Sequence, residues 1–279
     1  MPFTYTEDGH ILISIDFTDT TLNFVFDTGS TASYINLSHK PSKLKMSDSC
    51  MNVYRGGKKS TSEAQISEPI NIKFNKNLTL KNTEFVVYNT YESMAFPIIG
   101  MNVIGKLFWH FDFANQIVTI SEDPLPVPSK SQILNYNSIN DNFVYCNLKI
   151  NNNIFLAHFD MGCAISHIEY DSDSTAHSIV DTNMVILYLT KDYENVEMFA
   201  GKLEQKIIQY YNNRYFINFD SLYINDILLK NKAIAMYVSS NLQEVFNKRL
   251  LLSINFFKQF EQMYIDTKNK IIYLKPYTL

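Results

Sequence analysis

Two four-residue stretches, Asp27-Thr28-Gly29-Ser30 and Asp160-Met161-Gly162-Cys163, each set a carboxylate beside a glycine at the end of an apolar run. Two carboxylates brought within a few ångströms cannot both ionise comfortably, so they share one proton. One can then take a proton from water while the other, protonated, polarises a carbonyl. In Phe24-Val25-Phe26-Asp27 an apolar strand delivers the carboxylate to a turn that Gly29 can make, and the apolar pair Tyr34-Ile35 follows. Burying such a group is costly without donors, and Thr28, Ser30 and the turn amides are expected to supply them. A plainer reading stays open for Asp27 alone, an Asx-type turn in which the aspartate caps its own backbone.

The elements that must carry these residues read mostly as strands. His10–Phe17 and Thr21–Phe26 are short runs rich in β-branched and aromatic residues around the polar turn Thr18-Asp19-Thr20, the pattern of a hairpin. Similar runs recur at Ile70–Phe74, Phe85–Tyr88, Ile117–Ile120, Phe143–Ile150, Ile154–Phe159, Val185–Leu189, Tyr215–Phe219, Ile234–Val238 and Ile271–Leu274. Helical spacing is confined to Met101–Phe108 and Leu242–Lys258.

Three of the eight prolines, Pro124, Pro126 and Pro128, fall within five residues, and alternating prolines favour an extended spacer. This predicts an N-terminal half over 1–123, a linker over 124–134 and a C-terminal half over 135–279. The halves repeat each other in order. At an offset of 133, Asp27 meets Asp160, Ile15 meets Leu148, Phe26 meets Phe159 and Phe3 meets Tyr136. Leu80-Lys81-Asn82 matches Leu229-Lys230-Asn231 at 149. Ile98-Ile99-Gly100-Met101-Asn102 matches Leu251-Leu252-Ser253-Ile254-Asn255 at 153, and Asp112 with Asn115 matches Asp266 with Asn269 at 154. The growing offset predicts an insertion, read as loop, within Glu169–Asp220.

Composition limits the remaining choices. With 279 residues, 46% apolar and 19% charged, the chain has the balance of a globular protein of two domains or one large one. A net charge of −4 gives no electrostatic reason to propose nucleic acid or an anionic membrane as partner. No stretch reaches the roughly 20 apolar residues of a spanning helix. Met1-Pro2-Phe3-Thr4-Tyr5 lacks the pattern of a secretory leader, so the expected location is the cytoplasm, or the periplasm or exterior if a leader was removed. Cys50, Cys146 and Cys163 are too few and scattered for a disulfide framework.

The chain resembles the aspartic proteases of the retropepsin-like and pepsin clan. The resemblance rests on Asp27-Thr28-Gly29-Ser30 in its apolar frame, on Ile98-Ile99-Gly100 before a short helix, and on the repetition of both. It implies an all-β fold of two retropepsin-like β-barrel halves about a pseudo-two-fold axis, a six-stranded interface, and an aspartic endopeptidase that uses Asp27 and Asp160 on a peptide or protein substrate, as a monomer and without metal or cofactor. It also implies a hairpin lid, for which Tyr54, Gly56 and Gly57 are the candidates; the matching window in the second half is Thr190–Asn195. Gly29 and Gly162 would shape the two loops, and Thr28 and Ser30 would orient Asp27.

The second copy departs from the family pattern. Met161 stands where the family has Thr, whose hydroxyl braces the two loops; Cys163 replaces a small hydroxyl or alanine residue, and Ser253 replaces the glycine equivalent to Gly100. With fewer donors, Asp160 is expected to be the protonated partner. These departures motivate the alternative function, a peptide-binding protein that kept the fold and lost turnover. His158, Asp160, Cys163 and His167 form a rival metal set, but without Cys-x-x-Cys or His-x-x-x-His spacing. A thiol-protease pairing of Cys163 with a histidine leaves the Asp27 repeat unexplained.

Overall fold

The computed structural model describes residues 1–54, 61–88, 96–139, 143–163, 186–211, 213–225, 227–229, 233–242, 244 and 247–277. Ile11–Asp16 and Thr21–Phe26 form the expected antiparallel hairpin, with Leu12 opposite Val25 and Asp16 opposite Thr21. Alternation buries Ile11, Ile13 and Ile15 on one face of the first strand and Phe24 and Phe26 on the same face of the second. Ile98–Ile99 then lies parallel to Val25 and Phe26, so a later part of the chain closes over the strand that ends at Asp27.

The second half repeats this order strand for strand. Asn153–Asp160 pairs antiparallel with Phe143–Ile150 and parallel with Arg249–Ser253, as Thr21–Phe26 does with Ile11–Asp16 and Ile98–Ile99. Each half is a ten-stranded mixed sheet with the same path from one edge to the other. The molecule is therefore mainly β and built of two equivalent halves.

A third sheet of five strands joins them, in the order Ile117–Ser121, Phe108–Asp112, Phe260–Asp266, Ile271–Pro276, Gln132–Asn135. The chain start adds a sixth segment through a bridge between Pro2 and Ile117 and a hydrogen bond from the Met1 ammonium to the Val118 carbonyl at 2.8 Å. The repeated Asp-x-x-Asn motifs close equivalent turns here. Asn115 donates its backbone and side-chain N–H to the two Asp112 carboxylate oxygens, both at 2.9 Å, and Asn269 does the same to Asp266 at 2.9 and 2.8 Å. Trp109, fully buried, packs on Phe26 at 4.9 Å between ring centroids and donates its indole N–H to the Ile104 carbonyl, tying this sheet to the strand that carries Asp27.

Several expectations are corrected. The helix at Met101–Phe108 shortens to Met101–Ile104, because Phe108 opens the central strand Phe108–Asp112. Leu242–Lys258 is not one helix: Arg249–Ser253 is a strand and only Ile254–Phe257 is helical. Helical spacing cannot distinguish a short apolar run in a doubly covered strand from a buried helix. The chain re-enters a sheet at Gln132, inside the span expected to be linker. The insertion in the second half contains a helix, Tyr193–Lys202, capped by Asp192, whose carboxylate accepts from the Asn195 N–H at 3.0 Å. Val196, Phe199 and Ala200 are buried at helical spacing, and Phe199 stacks on Tyr188 at 4.2 Å. Thr190–Asn195 is thus a strand end and helix start. The topological equivalent of the first-half hairpin is Ile208–Tyr211 with Arg214–Asn218. Among the described residues no helix is long and apolar enough to cross a membrane.

Gly100 marks a tight crossing of backbone on backbone. A Cβ there would fall 2.2 Å from the Ala32 carbonyl oxygen and 2.9 Å from that of Ser30. Backbone cannot retreat as a flexible side chain can, so Gly100→Ala is expected to destabilise the fold by about 2–3 kcal/mol, read from urea unfolding midpoints at unchanged slope.

Candidate active site

Asp27 and Asp160 end equivalent strands and meet where the halves join. Both are partly buried, and their carboxyl groups hydrogen-bond to each other. A Cβ on Gly29 would lie 2.6 Å from the Asp160 carboxyl carbon, and one on Gly162 only 2.1 Å from that of Asp27. Each glycine is the floor against which the opposite carboxylate rests. The two loops can approach this closely only because neither residue carries a side chain.

Backbone amides hold the pair. The Gly29 N–H donates to Asp27 Oδ1 at 2.8 Å, and amides of Ser30 and Gly162 also face this carboxyl. The Cys163 N–H bonds the Asp160 carbonyl at 3.0 Å, as Ser30 does that of Asp27 at 3.4 Å. The expected orienting hydroxyls go elsewhere. Ser30 Oγ donates to the Ala32 carbonyl at 2.8 Å, and Thr28 Oγ1 crosses to the other half. Alternation along the chain turns the Thr28 side chain away from Asp27 and into the interface.

That crossing is one-sided. Thr28 Oγ1 donates to the Phe159 carbonyl at 3.0 Å and accepts from the Met161 N–H at 3.1 Å, bracketing the residue before and the residue after Asp160. Met161 is buried in the core and has no hydroxyl with which to return the two bonds. Thr28→Val leaves a buried carbonyl and a buried N–H without these partners. Loss of about 1–3 kcal/mol is expected, measured by chemical denaturation against the parent.

Burial raises the pKa of both aspartates. For Asp27 the amides of Gly29, Ser30 and Gly162 and the hydrogen bond from Asp160 act in the opposite direction. For Asp160 the Asp27 charge and that same hydrogen bond add to burial, holding it well above the usual carboxylate range. The pair therefore titrates as a unit, with one proton shared between the groups. Burial and then the charges of Asp160 and Asp27 push the Cys163 thiol up, so it stays protonated and is no nucleophile.

Further residues that the sequence left unassigned brace the Asp27 loop. Ser33 Oγ accepts from the Gly100 N–H at 3.0 Å and donates to Asn102 Oδ1 at 2.7 Å, while Asn102 Nδ2 donates to the Glu84 carbonyl at 3.0 Å. The pairing of Asn102 with Asn255 in the two repeats was the visible signal. Met101 N–H reaches the Ser30 carbonyl at 2.8 Å, and its counterpart Ile254 reaches Cys163 at 3.0 Å.

Tyr54 ends the strand Met46–Tyr54 opposite Thr61; Gly56 and Gly57 lie outside the described residues. Of the rival metal set, His167 also lies outside them. His158 is a buried ring held neutral, its pKa lowered to about 4 by burial and the charge of Arg249.

No protein-family model matches the chain, and no curated protein matches it in sequence. Among solved structures, the crystal structure of an aspartic proteinase from Irpex lacteus superposes with a TM-score of 0.63 at 10% identity, covering 99% of this chain and 96% of that one. The likeness spans both halves, so it is to a whole two-lobed molecule.

Proposed function

We propose that the protein is an aspartic endopeptidase in which Asp27 and Asp160 activate water. The observation that carries this reading is the mutual hydrogen bond of two partly buried carboxyls, each resting on the glycine of the opposite loop. Ionised Asp27 takes a proton from water as the oxygen attacks the peptide carbonyl carbon. Asp160 donates its proton toward the carbonyl oxygen, giving a neutral tetrahedral diol. Asp27 then gives its proton to the amine nitrogen while Asp160 takes one back from a diol hydroxyl, so the C–N bond breaks to leave a carboxylic acid and an amine and the pair is regenerated. The chemistry uses only the carboxyls and water.

Both aspartates come from one chain, so the proposed working unit is a monomer. Met46–Tyr54 and Ile208–Tyr211 each form one edge of their sheets, and an extended peptide pairing its backbone with such edges is the proposed substrate geometry. The hairpin ending at Tyr54 is the proposed lid.

Incubating the purified protein with a peptide library between pH 3 and 8 tests the reading by mass spectrometry, with Asp27→Asn and Asp160→Asn as controls. Internal cleavage lost in both variants supports it. The second reading, a peptide-binding protein without turnover, is favoured by the missing hydroxyl at Met161; peptide capture with no cleavage at any pH would select it.

A further inference from the structure

A cavity of about 220 Å³ opens in the second half, between the edge strand Gln132–Asn135 of the joining sheet and the hairpin of Tyr223–Ile224 with Ile227–Leu228. Its floor is core: Leu134, Leu148, Phe256 and Leu274 are all buried. None of its lining residues belongs to the aspartate loops, so it is no part of the candidate active site.

The two copies differ at this place. In the first half Asp16 pairs with Lys73, and one step along the antiparallel ladder brings Phe17 to Ile72. The offset of 133 puts Ile150 at the place of Phe17, and Ile150 pairs with Ile224, so Ile224 stands where Ile72 does. Beyond that point the hairpins part. Residues 73–79 join Ile72 to its partner Leu80, whereas only residues 225–226 join Ile224 to its partner Ile227. The longer tip carries Phe74 and Leu78 into the core, where the Phe74 ring meets Trp109 edge-on at 5.7 Å between centroids. The shorter tip has no aromatic residue, and the offset of 154 puts the slimmer Met263 at the place of Trp109. Ile224 and Ile227, the residues that flank the short turn, line the cavity. The second copy thus lacks an aromatic ring that the first supplies from its own chain.

Two amides line the same space. Gln132 holds its Oε1 buried and, among the described residues, without a hydrogen-bond partner. Such an acceptor is unfavourable until a donor reaches it. Asn225 Oδ1 accepts from the Lys149 N–H at 2.7 Å, so what Asn225 has to offer a guest is its side-chain N–H. A hydroxyl answers both amides, since it donates one bond and accepts others.

We propose that this cavity is a binding site for a small phenol, an aromatic ring with a short apolar substituent and one hydroxyl. The ring takes the space left by the shortened hairpin, and the hydroxyl donates to Gln132 Oε1. Volume sets the size: an apolar cavity of about 150 Å³ holds benzene, and one of about 220 Å³ has room for an ethyl group and a hydroxyl as well. No ionisable residue lines the space, so a charged guest would find no counter-charge there.

Isothermal titration of the purified full chain with 4-ethylphenol tests this, with ethylbenzene and N-acetyltyrosinamide as comparisons. 4-Ethylphenol is expected to bind with a Kd of about 0.1 mM, ordinary for a ligand of its size. At about ten times that concentration it should raise the melting temperature by roughly 2–4 °C. Ethylbenzene keeps the ring but not the hydroxyl and is expected to bind roughly tenfold more weakly. Gln132→Leu removes the acceptor and should erase that difference. Ile227→Phe sets a ring beside the cavity from the chain itself, as Phe74 does in the first half, and should abolish binding of 4-ethylphenol. No heat and no melting shift with 4-ethylphenol up to about 10 mM would overturn the proposal, as would equal affinity of the parent for ethylbenzene. Undiminished binding in both variants would place the phenol elsewhere and overturn it too. Tighter binding of N-acetyltyrosinamide than of 4-ethylphenol would assign the cavity to a tyrosine side chain of a polypeptide instead. If Ile227→Phe fails to fold, the Gln132→Leu comparison still decides. Binding is read without turnover, so the outcome stands apart from the peptidase reading.

Discussion

Asp27→Asn and Asp160→Asn, each alone, are expected to lower peptide cleavage by about 10²- to 10⁴-fold, the scale of a lost general acid or base. An amide can neither take a proton from water nor give one to a carbonyl, yet it fills the same space and keeps a hydrogen bond to its neighbour. The fold should therefore persist, as checked by circular dichroism. Stability is expected to move in the other direction. A carboxyl whose folded pKa is raised keeps a proton that the unfolded chain releases, so stability falls as pH rises from the unfolded value of about 4 toward the folded one. Asp160 is raised well above that value by burial and by the Asp27 charge. Asp160→Asn removes the penalty and should raise the melting temperature near pH 7, with the gain disappearing below about pH 4. A melting temperature that falls equally at both pH values would mean that the Asp160 carboxylate stabilises the fold, contrary to this account.

Gly162→Ala is expected to have the next largest effect on cleavage. Its new Cβ would fall 2.1 Å from the Asp27 carboxyl carbon and 2.4 and 2.5 Å from the two oxygens. The carboxyl must move by more than 1 Å to reach ordinary contact distance, and displacement on that scale costs about 10²-fold in rate. The shift also separates the carboxyls, so the raised pKa values should relax toward ordinary ones and the pH dependence of any residual activity should change shape. Gly29→Ala presses on Asp160 from the other side at 2.6 Å and should act in the same sense. An alanine variant with parental rate and pH profile would show that the loops do not meet as described.

The repeated aspartates, the hairpin before the first and the collinear anchors were legible because they are local. Alternation of apolar residues marks a strand wherever one face is buried, and Asp112 with Asn115 and Asp266 with Asn269 declare the same turn by residue type alone. Met46–Tyr54 carries no such mark, because an edge strand such as MSDSCMNVY needs little apolar patterning. The helix Tyr193–Lys202 had its signals in Asp192 and in the spacing of Val196, Phe199 and Ala200, but Asp, Asn and Lys around it also read as a turn.

From residue order alone came a duplicated, mainly β chain with one aspartate per copy and a second copy that lacks a bracing hydroxyl. Tertiary structure alone decided what each polar group faces. It sent Thr28 across to Phe159 and Met161 rather than to Asp27, and set each carboxylate on the other loop's glycine. These contacts join residues more than a hundred positions apart. Their distances depend on how two sheets pack, and no local pattern of residue types encodes that separation.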